Sequence, residues 1–207
     1  MALGIEAKKQ KGGTGIYRVA KRGLDILISY LLLALLYIPM LVIAAAIRLG
    51  TGESAIFRQV RVGADGRKFV CYKFRTMRCE APSDIPTSDF KDAERYVTPV
   101  GRLLRATSLD ELPQLFNVLV GDMSIVGPRP LIAEEREAHM MRQGSGAYSV
   151  RPGITGLAQI NGRDMIDDVK KVYYDTVYAY NMSFLGDARI LFRTVFKVFS
   201  RDGNADG

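Results

Sequence analysis

Residues 26–47, ILISYLLLALLYIPMLVIAAAI, form an apolar run without a charge. At about 1.5 Å per residue, a helix of about 22 residues covers the roughly 30 Å of a hydrocarbon layer. The run is too long for the core of a secretory signal and lacks a convincing small-residue cleavage site, so it is expected to stay attached. It predicts a membrane-penetrating helix over 17–50. Pro39 lies inside it and should break or bend the helix by removing a backbone bond. Lys21 and Arg22 precede the run, while Arg48, Arg58, Arg61, Arg67 and Lys68 follow it. Positive charge at both flanks holds both ends in the cytoplasm, which favours a re-entrant helix over a single span.

Beyond the run the periodicity changes. Alternation over residues 56–74, interrupted at Asp65-Gly66, predicts a β-hairpin whose exposed face carries Arg58, Lys68 and Lys73. Ser108 followed by Glu111 has the form of a capping box, and apolar Leu112, Leu115, Phe116 and Leu119 continue it as a helix ending at Gly121, with Pro113 in the first turn. A further helix holds His139 and stops at Gly144. Near the C-terminus, Ile190, Leu191, Val195, Val198 and Phe199 share one helix face while Arg189, Arg193, Lys197 and Arg201 share another, the pattern of a helix lying in a membrane interface or packed on a core. The fold class is therefore α+β, mainly helical: a basic disordered tail over 1–16, the membrane helix, and a cytoplasm-facing domain over 51–207 with a small hairpin, a mobile loop over 80–94 and amphipathic helices.

Length and charge narrow the picture. At 207 residues the chain can bury one ordinary core. Its net charge of +7 points to an anionic partner, whether nucleic acid, a membrane face or a phosphorylated substrate. Cys71 and Cys79 have neither metal-knuckle spacing nor the numbers of a disulfide scaffold and read as free thiols in a reducing compartment. The single histidine, His139, reads as a surface residue.

Candidate chemistry concentrates in residues 107–130, TSLDELPQLFNVLVGDMSIVGPRP. Asp110 and Glu111 sit at the predicted helix start. One reading makes them cap and dipole partners. The other makes Asp110 a nucleophile kept ionised by free amides, and Glu111 the holder of a divalent cation that masks an incoming phosphate. The downstream GPRP favours the second. Pro128 and Pro130 stiffen the backbone around Arg129, presenting its fork to a phosphate. Arg58 and Lys68 suit lipid headgroups, whereas Lys73 and Arg75 suit phosphate. The glycines of RPGITGLAQINGR, residues 151–163, let amides approach an anion beside Arg151 and Arg163.

The wording TSLDELPQL, NVLVGDMSIVGPRP and RPGITGLAQINGR, with KFRTM upstream, resembles the bacterial sugar transferase family, the monotopic phosphoglycosyl transferases, over about residues 17–199. The resemblance implies an α+β enzyme of the bacterial inner membrane, with its catalytic domain on the cytoplasmic face. It would move a sugar phosphate from a UDP-sugar to polyprenyl phosphate with Mg²⁺, releasing UMP, at the first membrane step of glycoconjugate assembly. It implies Asp110 as a nucleophile that carries the phosphosugar, Asp110 and Glu111 as metal ligands, and Lys73, Arg75, Pro128, Arg129, Pro130, Arg163, Asp175 and Asp187 as substrate-binding residues. Two departures stand out: Ile38 precedes Pro39 where a serine is frequent, and Asp164 follows Arg163 where asparagine is frequent. The expected partners are UDP-sugar, polyprenyl phosphate and membrane lipid, not nucleic acid, and a homo-oligomer is compatible with the sequence. The rival is a membrane-anchored basic binding module without catalysis, which gives no reason for an Asp-Glu pair beside Pro-Arg-Pro.

Overall fold

The structure, a computed structural model, describes residues 15–82, 90, 93–162 and 166–200, the last three without their side chains. The expected tail over 1–16 and the loop over 80–94 thus lie largely outside the described residues.

The apolar run forms one helix, α1 (Gly15–Thr51), with Pro39 inside it. Its middle leaves Leu27, Leu31, Leu35, Ile38, Leu41 and Val42 exposed, an apolar surface that packing on the rest of the chain does not cover. Its two ends are docked. At the first, Asp25 accepts a 2.7 Å bond from the Ser124 hydroxyl and a 3.2 Å bond from the Ile125 amide. At the second, Ile47 is buried with Phe74 and Leu104, and Met40, Ile43 and Ala44 pack around them.

The hairpin forms as its alternation predicts. Strands β1 (Ile56–Val62) and β2 (Lys68–Phe74) pair antiparallel, and Asp65 and Gly66 take positive φ values of 54° and 73° to turn the chain. After a short helix α2 (Ala93–Tyr96) come α3 (Pro99–Thr107) and α4 (Gln114–Val120), the latter packed between α1 and β2. Strand β3 (Ser124–Val126) leads through GPRP to β4 (Leu131–Ile132), which joins the free edge of β1. Helix α5 (Arg136–Arg142) follows, then β5 (Gly153–Thr155), parallel to β3. Helices α6 (Leu157–Ile160), α7 (Asp168–Tyr180) and α8 (Phe184–Ser200) complete the fold.

The edge of β2 left unpaired by β1 is closed by a side chain. Asn117, fully buried in α4, accepts from the Tyr72 amide at 3.0 Å and donates to the Val70 carbonyl at 2.7 Å, reproducing one rung of a strand ladder. Helix α8 divides its apolar positions instead of presenting one face. Ile190 enters the core with Tyr17, Tyr178 and Val126, whereas Leu185, Phe192, Val195 and Phe196 stay exposed. Val198, Phe199 and Arg201, counted in the expected faces, lie outside the described side chains.

Candidate active site

The carboxylate pair is set by how α3 stops. Ser108 adopts left-handed geometry, φ 57° and ψ 16°, and its amide donates to the Arg105 carbonyl at 3.2 Å. The reversal starts a 3-10 turn, Leu109–Glu111, and α4 begins only at Gln114, with Pro113 just before it. The expected capping box is therefore not formed. A serine spent as the left-handed terminator of α3 lacks the extended backbone an N-cap needs, and it makes no capping bond to the turn.

Asp110 lies half-buried in that turn. Burial pushes its carboxyl up to about 6, Glu111 adds to the rise, and Lys73 and Arg105 oppose it. This corrects the expectation that dipole and amides dominate: α4 starts four residues later and desolvation is the largest influence. Lys73 Nζ donates to Glu111 Oε1 at 2.8 Å, so the strand and the turn meet at the pair. The register also corrects the face on which Lys73 lies. Lys73 opposes Phe57, and with Gln59, Arg61, Phe69 and Cys71 it occupies the face away from Arg58 and Lys68. Arg75 is engaged elsewhere: its Nε donates to the Ser54 carbonyl at 2.8 Å, approaches Glu53 at 3.7 Å, and its guanidinium covers the Phe57 ring.

Backbone close approach fixes the GPRP segment. A Cβ on Gly127 would stand 2.3 Å from the Arg151 carbonyl oxygen, and one on Gly153 would stand 2.1 Å from the Gly127 amide nitrogen. The Gly127 amide donates to Thr155 and the Gly153 amide to Pro128, each at 2.8 Å, which extends the β3–β5 pairing into the prolines. Pro128 and Pro130 are buried and Arg129 is half-buried. Arg61 pins the segment from β1: Nη1 donates to the Pro130 carbonyl at 2.8 Å, while Nε and Nη2 donate to Gln59 Oε1 at 2.9 and 2.5 Å. Burial, reinforced by the like charge of Arg129, lowers the Arg61 pKa from its usual value, and Glu135 and Glu111 counter it. Sequence reasoning counted Arg61 only as a flanking charge, although the alternation of RQVRV puts it on the same face as Gln59.

Asp175 and Asp187, expected as substrate-binding residues, both have partners within the chain. Asp175 is 1% exposed and takes a 2.5 Å bond from Arg142 Nη2, itself buried under the Tyr148 ring. Burial raises the Asp175 carboxyl pKa, and Arg142, Lys171 and Arg129 lower it. Asp187 accepts from Tyr17 and Lys21 of α1 at 2.8 and 2.7 Å and from Tyr178 of α7 at 2.9 Å, latching three helices together. His139, expected at the surface, is half-buried, and its ring bonds the Tyr148 hydroxyl and, at 2.8 Å, the Ile132 carbonyl. Arg163 and Asp164 lie outside the described residues. Cys71 is buried and Cys79 exposed, both free.

The structure thus brings together Asp110, Glu111 and Lys73 by direct geometry, with Arg129 within electrostatic reach of both Arg61 and Asp175. Among the described residues no group of three or more His, Cys, Asp or Glu converges on one point. Two adjacent carboxylates beside a lysine form an open site, able to hold a divalent cation only if a ligand supplies further oxygens.

Residues 16–201 match the model of the family described as bacterial sugar transferase. The chain is 45% identical over 197 residues to the UDP-glucose:undecaprenyl-phosphate glucose-1-phosphate transferase of Klebsiella pneumoniae, covering 89% of this chain and 41% of that protein. It is 43% identical over 185 residues to the uncharacterized sugar transferase EpsL of Bacillus subtilis, covering 89% of this chain and 90% of that protein. It is 38% identical over 192 residues to the exopolysaccharide production protein ExoY of Sinorhizobium fredii, covering 86% and 84%. The chain therefore spans about two fifths of the first of these relatives and most of the other two.

Proposed function

This chain belongs to the bacterial sugar transferase family, and we propose that it moves a sugar 1-phosphate from a UDP-sugar to polyprenyl phosphate through a phosphosugar carried on Asp110. The observation that carries the reading is the half-buried Asp110–Glu111 turn with Lys73 Nζ 2.8 Å from Glu111. Phosphoryl transfer asks a protein mainly for positioning and charge neutralisation, and the turn supplies the nucleophile while strand β2 supplies the cation.

In the first step a carboxylate oxygen of Asp110 attacks the phosphorus that bears the sugar. A new O–P bond forms, the bridging P–O bond breaks, and UMP leaves with the electron pair. In the second, a phosphate oxygen of polyprenyl phosphate attacks the same phosphorus and displaces the Asp110 carboxylate, giving polyprenyl-diphosphate-sugar. Asp110 and Glu111 would hold Mg²⁺, with donor phosphates completing its oxygen shell, as suits a cation usually bound by one or two carboxylates. When bound, the ion would mask phosphate charge against the approaching carboxylate. Arg129, stiffened by its prolines and held by Arg61 through Pro130, suits the diphosphate.

The membrane reading is re-entrant. Both ends of α1 dock on one folded unit, the first through Asp25 and Arg22 and the second through Ile47, which supports placing both on the cytoplasmic face of the inner membrane. A span would put some 30 Å of hydrocarbon between them. Single cysteines at Gly15 and Thr51, in a chain lacking Cys71 and Cys79, should resist an impermeant maleimide from outside; labelling of either end would reject the topology.

The chemistry is tested with donor alone. Enzyme mixed with a UDP-sugar and Mg²⁺ should yield UMP equal to enzyme and a phosphosugar mass on the peptide containing residue 110. Asp110→Asn should lose both while staying folded. Turnover in that variant would remove Asp110 from the reaction.

A further inference from the structure

A half-open cavity of about 410 Å³ lies at the other end of α4 from the carboxylate pair, bordered by the first turns of α1, the hairpin turn and the loop before β5. Six cationic side chains line it, Arg18, Lys21, Arg22, Arg67, Lys68 and Arg151, against three carboxylates. The carboxylates are committed or remote. Asp25 is bonded to Ser124 and Ile125, Asp122 approaches the Asn117 amide group at 3.5 Å, and Asp65 is exposed at the tip of the turn. Lys21 is taken by Asp187.

Two guanidiniums converge on one wall. Arg22 donates to the carbonyls of Val118 and Leu119 at 2.6 and 3.0 Å, and Arg151 donates through Nε to Gly121 at 2.8 Å. Gly121, at φ 104°, terminates α4, and a Cβ there would stand 3.4 Å from Arg22 Nη2. The carbonyl end of α4 therefore gathers two cations at a cavity whose rim adds exposed Arg18, Arg67 and Lys68, for which no ion pair exists among the described residues. Clustered like charge is unfavourable without a counter-ion. Phe69, Val126, Val150 and Met182 supply an apolar floor.

We propose that this cavity binds a phosphate-bearing anion at a site separate from Asp110. Lys68 borders the cavity and Lys73 meets Glu111, so five residues of β2, about 16 Å, separate the two. Arg22 lies one turn before residue 26, where the apolar run begins, so the cavity sits where α1 would enter a bilayer and a phospholipid headgroup could reach it; a soluble phosphate ester has the same recognition chemistry. The inference does not depend on the proposed transfer reaction.

The test uses the full chain in detergent micelles and the triple variant R18Q/R67Q/K68Q, with the single variant Lys68→Glu as a milder change. Native mass spectrometry counts bound phosphatidylglycerol against phosphatidylcholine, and calorimetry titrates inorganic phosphate into lipid-free micelles. A preference for phosphatidylglycerol that falls about tenfold or more in the triple variant identifies a lipid headgroup, as expected for cations each worth about 1 kcal/mol at a membrane surface. Phosphate binding lost in the triple variant, without a lipid preference, identifies a soluble ester. The proposal is overturned if neither probe distinguishes the wild-type protein from either variant. It is also overturned if the KM for UDP-sugar rises in step with the loss of either probe, because the cavity would then be part of the donor site.

Discussion

Replacing Lys73 by methionine removes the cation that pairs with Glu111 and that opposes the burial of Asp110. Loss of a nearby positive charge disfavours the carboxylate, so the Asp110 pKa should rise above about 6. A nearby unit charge at an effective dielectric constant of about 20 is worth on the order of 2 kcal/mol. The Lys73 and Glu111 side chains are 24% and 25% exposed, and solvent screening at that exposure roughly halves the effect, leaving about one pKa unit. The assay is the pH dependence of UMP release from a UDP-sugar by the full chain in micelles. Wild-type release should rise with pH through about 6 as Asp110 ionises, and the variant's limb should lie about one unit higher. Lys73→Arg should return the limb towards its original place. The position of the limb carries the test, since Lys73 also bears on plateau height. A limb that stays fixed or moves to lower pH would refute the coupling. Stability moves the opposite way to release: the raised Asp110 pKa contributes stability that is full below about pH 4 and lost as pH rises through about 6.

Arg142→Ala strands the Asp175 carboxylate, 1% exposed, and should cost about 3–5 kcal/mol, read as a fall in thermal midpoint that Asp175→Leu partly reverses. Asn117→Ala leaves the Val70 carbonyl and Tyr72 amide without their partner and should cost about 2 kcal/mol in denaturant titration. Gly127→Ala drives a methyl group to 2.3 Å from the Arg151 carbonyl and should abolish UMP release together with the β3–β5 pairing, seen as lost amide protection at Gly153 and Thr155.

Elements with strong local patterns were legible in the sequence. The apolar run became one long helix and the alternation broken at Asp65-Gly66 became the hairpin, whereas the acidic pair lies in a 3-10 turn ahead of α4 and not in a capped first turn. What the pattern hid was how residues are used when two elements compete for them. Ser108 fits an N-cap by identity, yet the helix before it claims that backbone as a terminator. The face of Lys73 depends on register: Lys68 lies five positions away, an odd separation, so the two point to opposite sides. His139 and Asp175 gained their partners only through tertiary contact, with half-buried Tyr148 and buried Arg142 from separate segments of the chain. Arg61 needed both the strand alternation and the pairing of β1 with β4 before its hold on Pro130 could be seen.

Where Gly127, Gly153 and Gly156 stack, main chain rests on main chain with no gap for a methyl group, a Cβ on Gly156 falling 2.0 Å from the Gly127 oxygen. The course of Pro128, Arg129 and Pro130 is thus dictated by atoms every amino acid shares, and drift at those glycines would be punished by misfolding before it could alter selectivity.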